Sequence, residues 1–169
     1  MAEKGTPYMR AHDSIARMER ACSNRLDEGR ALHAIGRGYW AIYTFGYVAE
    51  ICLKTAFLHF AGLGRDDDAS EYVFGKFPAR WARAIGVSRE AGSMHDLLFW
   101  FEMIVEERNI ARKPIDRDFS RECAIHIQHV AMHWRPGMRY HPSVRMGDRT
   151  LQVAAATTWI VEHQQWLWS

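Results

Sequence analysis

Lysine is scarce in this chain, with four against 18 arginines in 169 residues, and the formal net charge is only +2. A globally basic nucleic-acid binder is therefore not indicated. Cysteine is also sparse. Cys22, Cys52 and Cys123 are odd in number and far apart, which fits a reducing compartment and excludes a dense disulfide framework. No stretch alternates apolar and polar residues over a strand's length, and no repeat recurs. Gly-rich phosphate loops, nucleophile elbows and Walker sequences are missing; Gly36-Arg-Gly38 is too short to count. The first residues, MAEKGTPYMRAHDS, lack the apolar core of a secretion signal, so a cytoplasmic location is expected.

What is present is apolar. Hydrophobic residues make up 48% of the chain, enough for one globular domain of ordinary size. The arginine excess suits phosphate and planar contacts; a codon bias toward arginine explains it equally well.

The stretch Tyr39–Ala61, YWAIYTFGYVAEICLKTAFLHFA, organises the rest. It is apolar on nearly every side of a helix, which places it inside a protein or a membrane. Its length suffices for a span of about 20 residues. Glu50 and Lys54 would then lie near mid-bilayer, at about 2.5–3.5 kcal/mol each. A central helix of a soluble bundle is expected instead, with no membrane contact. Glu50 and Lys54 are four apart with the acid first, the favourable order for a helical pair, and are read as a structural ion pair.

Along the chain, residues 1–10 read as a loose tail and 11–169 as a single domain. Ile15, Met18, Cys22 and Leu26 recur at helical spacing from His12 to about Ala34, with Asp13 or Ser14 as cap. Gly36 and Gly38 predict a bend. Gly62 and Gly64 stop the central helix, and the acidic run Asp66–Asp68 reads as a solvated loop. FPARWARAI predicts a short helix with Trp81 turned inward. Ser93 is the expected cap of the next helix, which has Leu97, Leu98, Phe101, Ile104 and Val105 inward and Glu102, Glu106, Glu107 and Arg108 outward, and ends before Pro114. Asp116 or Asp118 opens a helix to about Trp134. A turn-rich loop follows, then a last helix from Thr150 to Trp168 carrying Leu151, Ala155, Trp159 and Ile160. The fold class is all-α.

Three segments carry a family resemblance: GYVAEICLKTAFL at Gly46–Leu58, MHDLLFWFEMI at Met94–Ile104 with its His-Asp-Leu opening, and Trp134 followed by Arg139-Tyr140. In order and spacing they resemble the HEPN superfamily of helical bundles, many of them paired with nucleotidyltransferases. The resemblance implies an up-and-down four-helix bundle with an extra N-terminal helix, a homodimer, a nucleotidyltransferase or antitoxin partner, and a toxin–antitoxin or phage-defence setting with RNA or nucleotides. Active members are metal-independent endoribonucleases that use Arg, four to six residues, then His, paired across the dimer. There the imidazole moves a proton and the guanidinium holds phosphate.

Arg121 and His126, with four residues between, are the candidate catalytic pair on that model. Arg135 and His141 have five between but fall in the loop. The family usually places Asn, Asp or His after the Arg, where this chain has Glu122 and Pro136; Arg108-Asn109 is followed by Lys113 and Pro114 where His should fall. A non-catalytic or partner-dependent module is therefore slightly favoured over an active ribonuclease.

Two further clusters compete with this reading. Cys123, His126, His129 and His133 step by three, three and four along one helix face. His129 and His133, with Glu102 or Glu106 from a neighbouring helix, suit zinc or iron; the same residues suit a groove or dimer interface without metal. Arg135, Arg139, Arg145 and Arg149, interleaved with Trp134, Tyr140 and His141, suit a phosphate backbone with stacked bases. They equally suit a surface loop tied down by Tyr140, with Arg139 bonded to carbonyls or to Glu50. A plain interaction scaffold remains a third outcome.

Overall fold

The computed structural model describes residues 14–73, 77–87 and 95–169. The expected tail and the expected caps Asp13 and Ser93 lie outside these. Every regular element among the described residues is helical.

Helix α1 spans Ile15–Ala34 and starts where Ser14 Oγ accepts the Arg17 N–H at 3.4 Å. Ile15, Met18, Cys22 and Leu26 are buried on one face, the three-and-four spacing of an amphipathic helix. The helix ends at Gly36, whose φ is +74°. There the Gly36 N–H reaches the His33 carbonyl at 3.0 Å and the Arg37 N–H reaches that of Leu32 at 2.8 Å. This left-handed cap satisfies carbonyls that have no partner within the helix, and it turns the chain back into α2, Gly38–Phe60.

Helix α2 is the centre of the fold, in contact with α1 and with the three later long helices. Val48, Ala49, Cys52, Leu53, Phe57 and Leu58 have no exposed surface. The helix is long and apolar enough to cross a membrane, but 83% of its most apolar stretch is buried inside the chain. Cys22 and Cys52, thirty residues apart, meet across the α1–α2 contact with their sulfurs 3.2 Å apart.

The connection after α2 is a solvated loop. Asp67 accepts the Gly64 N–H and Asp68 the Ser70 N–H, at 2.7 and 2.9 Å. Short helices α3 (Ser70–Val73) and α4 (Phe77–Ile85) follow. Trp81 turns inward as expected, edge-on to Phe57, with its indole N–H donating to Glu107.

Helix α5, Leu97–Ile110, begins one turn later than Ser93 would have set it. Asp96 is the cap and accepts the Leu98 and Phe99 N–H groups at 3.1 Å each. Its buried set is also broader than one stripe, because α2, α4 and α6 cover it from several sides. Phe99, Trp100 and Met103 are fully buried, and Leu98 and Val105 only partly. Arg108, expected outward, is 7% exposed. Its guanidinium donates to the carbonyls of Lys113 (2.8 Å), Ser169 (2.7 Å) and Leu167 (3.3 Å). Its planar donor fork ties the end of α5 to the end of the chain.

Asp116 caps α6, Arg117–His133. The chain then extends through Trp134, forms a 3-10 turn at Pro136–Tyr140, and enters α7, Arg149–His163. The expected last helix ran to Trp168. Instead it tightens into a 3-10 turn over Gln164–Leu167. The inward face of α7 differs as well. Thr150, Val153, Ala156, Thr157 and Ile160 are buried, whereas Leu151 is 57% exposed and Ala155 is exposed. Small residues let α7 lie close to α2, where the Thr157 hydroxyl reaches the Phe45 carbonyl at 3.5 Å; a leucine stripe would hold the helices apart.

Candidate functional site

The Glu50–Lys54 pair forms as the spacing implies, with Nζ 2.7 Å from Oε1 and both side chains nearly buried. A third member joins it. His95, at the start of α5, places Nδ1 2.8 Å from the other oxygen, Oε2. Lys54 Nζ also lies 5.3 Å from the Trp100 ring centre. The triad closes the floor of a cavity of about 340 Å³ whose walls include Met18, Tyr47, Ile51 and Val73. A buried carboxylate needs partners of this kind, and here they join α2 to α5. His95 belongs to the His-Asp-Leu opening, but nothing in the sequence says that its ring reaches Glu50.

The loop after α6 is anchored differently from either expectation. Trp134 is 3% exposed and does the anchoring. It sits in the notch made by Gly46, where an added Cβ would lie 1.9 Å from the indole Cγ. Tyr47 meets the indole edge-on at 5.3 Å. The Tyr39 hydroxyl donates to the Met138 carbonyl at 2.8 Å and fixes the next turn. Tyr140, expected to tie the loop down, is 75% exposed. The Arg139 guanidinium lies 4.6 Å over its ring, and Glu50 is engaged with Lys54 and His95 instead. Arg135, Arg139, Tyr140, His141 and Arg145 are all exposed. Arg145 turns toward the other end of the loop, where with Arg37 it lines a cavity of about 390 Å³.

Arg121 and His126 share α6 but not a face. Five residues along a helix turn about 140°. Arg121 is exposed, while His126 is half-buried, stacked 4.4 Å from Trp159 on α7. His163 stacks on the same indole at 4.2 Å, and Phe119 at 5.6 Å. Burial pushes the His126 imidazole below its usual range, with the neighbouring His129 and His163 acting in the same direction and Glu122 against them. Burial thus favours the neutral form of this ring, the form that accepts a proton.

His129 and His133 meet edge-on at 5.3 Å, and His129 Nε2 is buried with no hydrogen-bond partner among the described residues. Cys123 is buried, which raises its thiol to about 12. Among the described residues no three His, Cys, Asp or Glu side chains converge as a metal site would require.

Sequence reasoning missed His95, Trp159, His163 and Arg37 as neighbours of the candidate groups. The Trp159–His163 spacing of four carried a signal, since such residues are adjacent on a helix. Comparison with protein-family models, curated proteins and solved structures finds no match to this chain.

Proposed function

We propose that this chain is a HEPN-like module that binds RNA through the loop from Arg135 to Arg145. In this reading α2, α5, α6 and α7 are the four-helix bundle and α1 the extra N-terminal helix. The observation that carries the proposal is the exposed Arg139–Tyr140 stack, 4.6 Å from guanidinium to ring centre. It is held on a loop that Trp134 and the Tyr39–Met138 hydrogen bond fix to α2. Arginine supplies phosphate contact and the ring a platform for a base.

The module is non-catalytic or partner-dependent. The divergence of Arg121 from His126 supports this, because cleavage needs a proton carrier and a phosphate clamp in one cleft. A second copy of the chain, or a nucleotidyltransferase or antitoxin partner, would have to complete that cleft. A toxin–antitoxin or defence setting follows from the family likeness.

Fluorescence anisotropy with a labelled single-stranded RNA tests the binding. Tyr140→Ala removes one stacking platform, worth about 1–3 kcal/mol per base, so affinity drops about tenfold. Arg139→Gln lowers affinity and flattens the salt dependence by about one phosphate contact. Unchanged affinity in both variants refutes the loop as the RNA surface. Cleavage by the purified chain in chelator, lost in His126→Ala, would replace the non-catalytic reading by the ribonuclease one.

A further inference from the structure

Cys22 on α1 and Cys52 on α2 are free thiols that face each other with 3.2 Å between the sulfurs, thirty residues apart in sequence. A covalent S–S bond is about 2.05 Å long, so the sulfurs have to approach by only about 1 Å to form one. The two helices share the most extensive contact among the described elements, and that contact holds the sulfurs together.

The two thiols are not equivalent. Cys22 is 6% exposed and Cys52 has no exposed surface. A small oxidant therefore reaches Cys22 first, and Cys52 lies behind it with the other sulfur as its neighbour. The electrostatics run in the same direction. The hydrogen bond shared with Cys52 lowers the Cys22 thiol below its usual range, against burial and the Glu19 carboxylate, which raise it. The same bond, with burial and the Cys22 charge, holds Cys52 well above the usual range. Thiolate is the reactive form of cysteine. Cys123 is the contrast within the chain: it is buried, bonded to neither other sulfur, and raised to about 12.

We propose that Cys22 and Cys52 form a redox site, which hydrogen peroxide converts to a reversible intramolecular disulfide stapling α1 to α2. The Cys22 thiolate attacks one peroxide oxygen. The O–O bond breaks, the departing hydroxide takes up the thiol proton as water, and Cys22 becomes a sulfenic acid. The Cys52 sulfur then attacks Cys22 Sγ. An S–S bond forms, the S–O bond breaks, and the hydroxyl leaves with the Cys52 proton as a second water. Two thiols have lost two hydrogens and two electrons to one peroxide. Such a pair, an accessible low-pKa sulfur beside a resolving one, is the usual arrangement of a thiol sensor, and disulfides of this kind in reducing compartments are transient. The site stands apart from the RNA-binding proposal, whose loop it does not use.

The test treats the full chain with hydrogen peroxide, stops the reaction with catalase, and labels the remaining thiols with iodoacetamide in denaturant before peptide mass spectrometry. The expected product links the Cys22 and Cys52 peptides, lighter by two hydrogens than the free pair, and carries label on Cys123 alone. Dithiothreitol restores all three labels. Closing a loop of about thirty residues raises the urea midpoint of the oxidised chain by about 1 M over the reduced one. Cys52→Ala removes the resolving sulfur and leaves a sulfenic acid on Cys22 that dimedone captures, whereas Cys22→Ala leaves Cys52 unoxidised. Three labels on the peroxide-treated wild type overturn the proposal, as does a bridge through Cys123 or between two chains. Dimedone capture on Cys52 in the Cys22→Ala protein, with none on Cys22 in the Cys52→Ala protein, overturns the order of attack. A midpoint that falls on oxidation overturns the staple.

Discussion

Gly46→Ala should unfold the anchor on which the candidate RNA loop depends. The new methyl would stand 1.9–2.2 Å from Trp134 Cγ, Cδ1 and Cδ2, well inside contact distance, and those atoms belong to the rigid ring rather than to a flexible tip. Trp134 must leave or α2 and the loop must part. A tryptophan buries about 150–250 Å², which at about 25 cal/mol per Å² is worth about 4–6 kcal/mol as an upper bound. Core Trp→Ala changes cost about 3–5 kcal/mol. Two effects oppose the loss. Alanine favours helix over glycine by about 1 kcal/mol. The Trp134 indole N–H, buried without a hydrogen-bond partner among the described residues, regains water worth about 1–3 kcal/mol. With central values, about 5 kcal/mol lost against about 1 and about 2 regained, the net destabilisation is about 2 kcal/mol, which lowers the urea midpoint by about 1 M at a slope of about 2 kcal/mol/M.

Urea unfolding followed by far-ultraviolet circular dichroism measures this. A double-mutant cycle sharpens it. In a Trp134→Ala background the clash is gone, so Gly46→Ala should stabilise by the helix-propensity gain alone, about 0.5–1 kcal/mol. A Gly46→Ala protein as stable as the wild type refutes the reasoning. So does an equal cost in both backgrounds, because the damage would then not run through the indole.

Two other outcomes follow from buried polar groups. Glu50→Ala leaves Lys54 and His95 without the carboxylate they share at 2.7 and 2.8 Å; the cost in chemical denaturation is about 3–5 kcal/mol, and Glu50→Leu combined with Lys54→Leu costs less than that single change. His126 and His133 are both held below the usual imidazole range by burial. Their folded forms bind fewer protons than the unfolded chain near pH 6.5, so they contribute stability that is present above that pH and lost as pH falls through the folded values. Urea midpoints at pH 7 and 5 should differ more in the wild type than in His126→Asn, and a slope unchanged by that substitution counts against the burial of this ring.

The helices were legible because their signals are local. Ser14 and Asp116 cap where capping residues stand before apolar periodicity, and Gly36 and Gly62 adopt φ of +74° and +80° where a left-handed residue is needed. The face of α7 was not legible. Of the expected set Leu151, Ala155, Trp159 and Ile160, Ile160 is buried; the first three make one stripe, and Val153, Ala156 and Thr157 join Ile160 in another beside it. Counting hydrophobic residues prefers the first. The structure uses the second, because close approach of two backbones rewards small side chains. In α5 the same kind of counting placed Arg108 outward, since a charge is assigned to solvent until carbonyl partners are known. Its partners at Leu167 and Ser169 lie about sixty residues away.

The candidate sites divide along the same line. The angle between Arg121 and His126 needs only helix geometry, and it argues against a one-chain nuclease. The cavity is the opposite case. Arg37 and Gly38 lie in a turn too short to read as a phosphate loop, and Arg145 and Thr150 lie more than a hundred residues later. Neither segment carries a recognisable motif. They meet only because α7 lies so close to α2 that a Cβ on Gly38 would stand 2.5 Å from Thr150 Oγ1. The close packing of small α7 side chains on α2 is therefore also what brings Arg37 and Arg145 to one cavity.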